Sequence, residues 1–419
     1  MDPRRFDALV IGAGPAGSIA ALVLARAGAR VALVDKARFP RDKACGDFIG
    51  PRGLQVLADL GVPEPPGCDV GDMVVVGPTG RRVVLPCFDG VSYPGRARAV
   101  TRTVFDDALR TAAIEAGAEP YEGRADRPLG PGDSPDGFAV GGTELRADFI
   151  IGADGATSHV ARTAGLVESA RVLWGFAVRA YLDQPVDLPA ITLWDRTPWH
   201  AFPGYGWIFP GPDGVANIGV GIGTLADRRA GAGAVRVLPE YFGHLVRLGL
   251  LDRVPDPLPR TTGGWLKMGM VGTSPAAGPV LLVGDAAGLV NPLQGEGIAQ
   301  AMTSGRAAAE AVVGSPGRAA SRYRYELARA HLPYQRVTAA GHAALVGRPR
   351  AVSAVGRLLT APGVGRAMAG GWGIFWNELL EGAAPGRSRQ VAAGSLRLGR
   401  MVTAGSGVSR WFATTFDHH

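Results

Sequence analysis

DALVIGAGPAGSIAALVLARAGARVALVD, from Asp7 to Asp35, decides the fold of this chain. An apolar run, Ala8 to Ile11, meets the glycine cluster Gly12, Gly14 and Gly17. A helix-forming run follows from Ser18 to Arg26, then Gly28, then a second apolar run, Val31 to Val34, that ends on Asp35. The order predicts strand, tight turn, helix, strand, acid. Gly12 lets the chain turn, Gly14 lets backbone approach a pyrophosphate, and Gly17 lets helix and strand pack closely. The helix N-terminus offers N–H donors and partial positive charge to the phosphates. Asp35, 23 residues beyond Gly12, is placed to accept a hydrogen bond from a ribose hydroxyl. A dinucleotide site at the N-terminus is the expectation.

Working outward, 419 residues supply two or three domains with ample core. A hydrophobic content of 47% and a charged content of 19% describe a folded chain rather than a disordered one. No apolar run reaches the ~18 residues of a membrane span, and the N-terminus lacks a basic region followed by a cleavable apolar segment. A cytoplasmic location is expected. Cys45, Cys68 and Cys87 make no C-x-x-C pair, which is consistent with a reducing compartment. The seven histidines show no metal-ligand spacing, so no metal is expected, and His418–His419 could be a tag remnant. The net charge of +7 is concentrated at the end: nine arginines follow Gly341, against Glu378, Glu381 and Asp417. Without interleaved stacking aromatics this reads as a solvated helical tail, not a nucleic-acid surface.

Along the chain, Gly53 to Leu60 has the apolar spacing of a helix, and Val100 to Ala116 predicts another, with Gly117 as its C-cap. Asp72 to Cys87 reads as a hairpin. From Leu173 to Ile222 the pattern becomes a series of short aromatic-rich strands (WGFAVRAYL, AITLWD, YGWIFP, ANIGVGI) with the spacing of an antiparallel sheet. Strand, loop and long helix resume at Val280. The expected architecture is α/β: a Rossmann-like domain (1–71, 98–165 and 262–335), an inserted antiparallel-sheet substrate domain (72–97 and 166–261), and a helical C-terminal region (336–419).

Three glycine turns carry the functional reading: GAGPAG (Gly12–Gly17), GADGA (Gly152–Ala156) and GDAAGLVNPLQGEG (Gly284–Gly297). Their order and spacing resemble the FAD-dependent group of p-hydroxybenzoate hydroxylase, the flavin halogenases and the geranylgeranyl reductases. KACGDFIGP (Lys43–Pro51) and YGWIFP (Tyr205–Pro210), followed by NIGVG (Asn217–Gly221), are similar to the K-x-C-G and Y-x-W-x-F-P segments of the geranylgeranyl reductases. Halogenases carry W-x-W-x-I-P instead and rely on an active-site lysine; the three lysines here are Lys36, Lys43 and Lys267.

What the resemblance implies is specific. FAD would be held by Gly12, Gly14, Ala16, Gly17, Asp35 and Lys36 at its adenosine end. Arg102, Asp154, Gly155, Gly284 and Asp285 would hold its middle. Cys45, Gly46, Pro292, Gly295, Gly297 and Ile298 would surround the isoalloxazine, with the helix near Gly295 stabilising charge on the reduced ring. Cys45, Tyr205 and Trp207 are the candidate catalytic residues, although Cys45 also fits a small buried residue and the two aromatics also fit ordinary core. The implied reaction is hydride transfer from reduced flavin to a C=C bond of an isoprenoid or polyene substrate, free or carrier-bound. The alternatives are an FAD monooxygenase or halogenase and a redox-neutral cyclase. NAD(P)H is the expected electron donor, with reduced ferredoxin or deazaflavin as substitutes, since no second G-x-G-x-x-G follows residue 150. Leu358, Leu359, Trp372, Phe375, Trp376, Leu379 and Leu380 either close a substrate tunnel or, with the arginines, rest peripherally on an anionic membrane or an acidic carrier. Nothing in the sequence sets the oligomeric state.

Overall fold

In this computed structural model, residues 4–85, 87, 95–132, 135–193, 204–224, 228, 233–346, 348–378, 380 and 386–405 are described. Trp194 and Asp195, the end of the predicted AITLWD strand, lie outside them, as do Leu379, Glu381, Arg410, Asp417, His418 and His419.

The opening stretch forms the strand Arg4–Ile11, the helix Pro15–Arg26 and the strand Val31–Asp35. The helix begins three residues before the predicted Ser18 because proline, with its fixed φ and no N–H to satisfy, suits the first helical position. Arg4–Ile11 pairs in parallel with Val31–Asp35 on one side and Thr143–Gly152 on the other. Glu119–Glu122 and Val280–Leu282 extend this parallel core outward. Ala125–Leu129, Gly137–Val140 and Ala276–Ala277 add antiparallel strands, giving an eight-stranded sheet. The central strands are apolar and buried, as a parallel sheet covered on its faces requires. The helices Pro15–Arg26, Arg102–Glu115 and Ile298–Gly314 pack together beside it. The predicted Val100–Ala116 and Gly53–Leu60 helices span Arg102–Glu115 and Pro51–Asp59.

The second sheet has seven strands, in the order Thr261–Met268, Leu173–Asp183, Val215–Thr224, Gly204–Pro210, Ala190–Thr192, Met73–Val76 and Arg82–Leu85. The last two are the predicted hairpin. The pairing is antiparallel except between Ala190–Thr192 and Met73–Val76. Those two strands are joined by no turn, so nothing local dictates their direction. Side chains alternate along Gly204–Pro210. Ile208 packs with Val178, Ile218 and Val220 under the helix Ala234–Arg247, against Leu238, Tyr241, Phe242 and Leu245. Gly206 must stay bare on that face, since a Cβ there would lie 2.3 Å from Tyr241 Cζ. The opposite face presents Tyr205, Trp207 and Phe209.

Helices Ala319–Ala330, Leu332–Leu345, Pro349–Leu359, Gly365–Asn377 and Gly386–Gly405 complete the chain, with Tyr334, Ile374, Phe375, Ala392 and Leu396 forming a core of their own. Among the described residues no helix is long and apolar enough to cross a membrane.

Candidate active site

Three adjoining cavities run from the first glycine turn to the C-terminal helices. The largest, about 550 Å³, is lined at one end by Gly12, Gly14, Ala16, Asp35 and Lys36, and further along by Asp154, Gly155, Gly284 and Asp285. Gly12 sits at φ +107°, and a Cβ there would lie 2.2 Å from Ala153 O, so the first and second glycine turns touch through bare backbone. Gly17 does not line the cavity: it lets the helix close on the turn, with an added Cβ only 1.8 Å from Gly12 O. Asp35 accepts the Ala13 N–H at 2.7 Å through Oδ2 and the Ala37 N–H at 2.8 Å through Oδ1. It fixes the turn while each oxygen keeps a lone pair for a ribose hydroxyl. Asp154 is engaged in capping, accepting from Ser158 Oγ and from the backbone N–H groups of His159 and Val160.

Sequence reading missed Arg41 in this cavity. Its Nη2 pairs with buried Asp106 at 2.8 Å and would lie 3.5 Å from a Cβ added to Gly14. Its Nη1 is buried without a partner. A buried cationic donor beside bare backbone at a helix N-terminus suits a phosphate, so the residues present fit the pyrophosphate of FAD.

The second cavity, about 150 Å³, shares Pro15, Lys43, Arg102, Asp285 and Ala301 with the first. It gathers Cys45, Gly46, Tyr205 and Trp207 with Pro292, Gly295, Gly297 and Ile298. Arg102 is buried and bidentate to Asp106, with Nε and Nη2 each 2.7 Å from a carboxylate oxygen. Lys43 Nζ stands 3.4 Å from Asp285 Oδ2. Burial pushes the Cys45 thiol up, against the opposing pull of Arg102. The Tyr205 hydroxyl is likewise raised by burial and donates to Gln294 O. Lys267 is held elsewhere: it donates to Ala286 O at 2.6 Å, and burial lowers its pKa to about 8.

The aromatic segment acts on Cys45 through one asparagine that sequence reading gave no role. Trp207 Nε1 donates to Asn217 Oδ1 at 2.9 Å, across neighbouring strands. Asn217 Nδ2 donates onward to Cys45 O and Asp47 Oδ2, each at 2.9 Å. Tyr181 also donates to Asp47, and Arg179, 3% exposed, pairs with Asp42. The second sheet therefore grips the Asp42–Phe48 loop by its backbone and both of its acids, Asp42 and Asp47. Asp47, at φ +57°, is pushed up to about 6 by burial. The Trp207 ring covers Gly219, where a Cβ would lie 2.2 Å from Cζ2. His342 similarly covers Gly223, its ring set between Pro292 O, 3.0 Å from Nδ1, and Thr224 O, 3.1 Å from Nε2.

The third cavity, about 240 Å³, shares Gly204, Tyr205, Leu293 and Gln294 with the second. Its far wall comes from the C-terminal helices, including Leu359, Trp372 and Phe375. Leu358 instead faces solvent, and Leu380 packs in the helical core.

Comparison with known proteins identifies the family. A family model described as an FAD binding domain matches residues 5–65. The menaquinone reductase of Mycolicibacterium smegmatis is 39% identical over 326 residues, covering 73% of this chain and 76% of its own. Digeranylgeranylglycerophospholipid reductase 2 of Methanopyrus kandleri is 33% identical, covering 73% and 76%. Among solved structures, a geranylgeranyl bacteriochlorophyll reductase-like protein from Thermoplasma acidophilum superposes with a TM-score of 0.69 at 22% identity, over 85% of this chain and 92% of that one. With an FAD-binding domain at the N-terminus and relatives of this identity along three quarters of its length, the chain belongs to the geranylgeranyl reductase family of FAD-dependent oxidoreductases.

Proposed function

We propose that this protein saturates a C=C bond in the isoprenoid chain of a lipid, menaquinone being the relative-suggested class to test first. The observation that carries the reading is the apolar cavity behind Tyr205, which continues the flavin-end cavity into the C-terminal helices. It gives a long apolar chain somewhere to lie on both sides of the reacting bond. When bound, FAD supplies the hydride. The protein's own part is to hold and shield: Arg41 and the glycine turn take the phosphates, Asp35 the ribose, and Asp285 and Arg102 the middle of the cofactor. Cys45, Tyr205 and Trp207 border the reacting bond, with the Cys45 loop fixed through Asn217.

The division into an FAD domain (1–71, 98–165, 262–335), a substrate domain (72–97, 166–261) and a helical region (336–419) belongs to the same proposal. So does the electron donor: NAD(P)H visiting transiently, with reduced ferredoxin or deazaflavin as alternatives. A lipid substrate also supports peripheral membrane contact. Val355, Leu358, Val364, Leu398 and Met401 are exposed among the arginines of the last helices. Sedimentation with anionic liposomes at low salt checks that contact, and absence of binding removes it.

The test of function is anaerobic. Enzyme reduced with dithionite is mixed with a menaquinone bearing an unsaturated side chain or with geranylgeranyl diphosphate. Flavin reoxidation should accompany a product whose isoprenoid chain is heavier by one H₂, read for menaquinone after air has returned any quinol to the quinone. Stoichiometric oxygen consumption with insertion of an oxygen atom, in an aerobic parallel, overturns the reading.

A further inference from the structure

Saturating a C=C bond needs a proton as well as a hydride. The second cavity contains one acid that sequence reading left without a role. Glu296 follows Gly295 directly and lines this cavity with Cys45 and Tyr205. One of its oxygens, Oε1, accepts the Ala299 N–H at 3.1 Å, which ties the side chain to the start of the helix Ile298–Gly314. The backbone N–H groups of Gly297 and Ile298 also pull on this carboxylate, and Oε2 keeps a lone pair that can carry a proton.

The other titratable and charged groups of the cavity are poorer donors. Lys43 and Asp285 face each other as an ion pair, and Arg102 is clamped by Asp106. The Cys45 thiol and the Tyr205 hydroxyl are both pushed up by burial, so each gives up its proton reluctantly. Burial raises Glu296 to about 7, and Glu378 adds to the push. Glu378 is itself held in place from behind: its Oε2 lies 2.8 Å from His331 Nδ1, and His331 Nε2 lies 3.3 Å from Thr303 Oγ1. Its other oxygen, Oε1, is buried without a partner, and its backbone stands at φ +56°, a conformation that costs a non-glycine residue energy.

We propose that Glu296 is the proton donor for the reduced double bond. The inference rests on the reductase reading above. One alkene carbon receives hydride, two electrons and a proton, from reduced FAD. The other receives a proton from Glu296 Oε2. The π bond is consumed, two C–H bonds form, the flavin ends oxidised, and the Glu296 carboxylate takes its next proton from water.

Glu296→Gln keeps the size and the acceptor for Ala299 N–H but cannot protonate. In the FAD-loaded variant, flavin content and the rate of reduction by dithionite should match the parent enzyme. Anaerobic reoxidation by geranylgeranyl diphosphate, which has no quinone ring to take the electrons, should fall by about 100-fold or more at pH 6 and lose the alkaline limb near pH 7 that the parent shows. Infrared difference spectra of the oxidised proteins supply a readout independent of turnover. The parent should show a protonated-carboxyl band that titrates away near pH 7, and E296Q should lack it. Glu296→Asp, which keeps an acid, should restore part of the rate and the pH limb, and it serves as the test if the glutamine variant loses FAD. Reoxidation of E296Q within about threefold of the parent, with the same pH profile, or the same infrared band in both proteins, overturns the proposal. A parent enzyme that no isoprenoid alkene reoxidises overturns the reductase reading itself, and the proton-donor role falls with it.

Discussion

The two ends of the proposed cofactor channel are built on different plans. At the adenosine end, Gly12, Gly14, Asp35 and the helix Pro15–Arg26 come from one continuous strand–helix–strand unit, to which backbone from Ala153 and the side chain of Arg41 are added from outside. At the chemical end, several short segments far apart in sequence meet, and bonds between them hold the site. Cys45 is held by Asn217, Asn217 by Trp207, Tyr205 by Gln294, and the far wall by helices beyond residue 330. The first end tolerates change poorly because its backbone is already in contact. The second depends on several long-range bonds that can be removed singly. Binding of the cofactor and placement of the substrate should therefore separate under mutation.

The largest effect is expected from Gly12→Val. A β-branched side chain at φ +107°, with its Cβ 2.2 Å from Ala153 O, should cost about 3 kcal/mol or more and abolish FAD retention. Flavin absorbance per protein and thermal unfolding measure it. If G12V keeps its flavin, the contrast between the two ends disappears.

Trp207→Phe comes next. It leaves buried Asn217 Oδ1 without its donor, at about 1–3 kcal/mol, and loosens the Cys45 loop. Flavin stoichiometry should hold while turnover falls; loss of flavin from W207F would show that the ends are coupled.

Asp47→Asn sharpens the same point through pH. In the unfolded chain Asp47 releases its proton near 4, and in the fold near 6. Between these values the folded state holds a proton that the unfolded state has lost, so this residue makes stability fall as pH rises through that window and level off above it. Urea unfolding of D47N should lack this contribution, and an identical pH dependence in the two proteins would refute the burial of Asp47 as drawn.

Cys45→Ala is expected to change least. FAD stays bound and kcat shifts by no more than about tenfold, the scale of a lost weak sulfur contact. An unchanged rate and product profile would make Cys45 a packing residue.

Legibility in the sequence follows the same division. The first glycine turn is readable because its chemistry is local: spacing alone sets which atoms meet. The Tyr205–Pro210 strand is readable as a motif, yet its meaning lies in Asn217 across the sheet and in Tyr241 beneath Gly206, which only strand register brings together. Arg41 escaped notice because nothing in its neighbourhood shows that Asp106 and Gly14 converge on it. Glu296 was visible inside the third glycine turn but indistinguishable from a surface carboxylate until its place on the cavity wall was known. The parallel pairing of Ala190–Thr192 with Met73–Val76 had no sequence signal, since no turn connects them.

Three bare positions on the second sheet, Gly206, Gly219 and Gly223, lie under the rings of Tyr241, Trp207 and His342. For an engineer, this fixes the order in which the sheet can be rewritten. A side chain added at Gly219 collides with Trp207 at 2.2 Å, so the glycine cannot change first. Once the ring is trimmed, the same addition fills the vacancy it left. Beneficial exchanges at such sites arrive as ordered pairs, ring before glycine, and a library that samples one position at a time will score every glycine variant as dead.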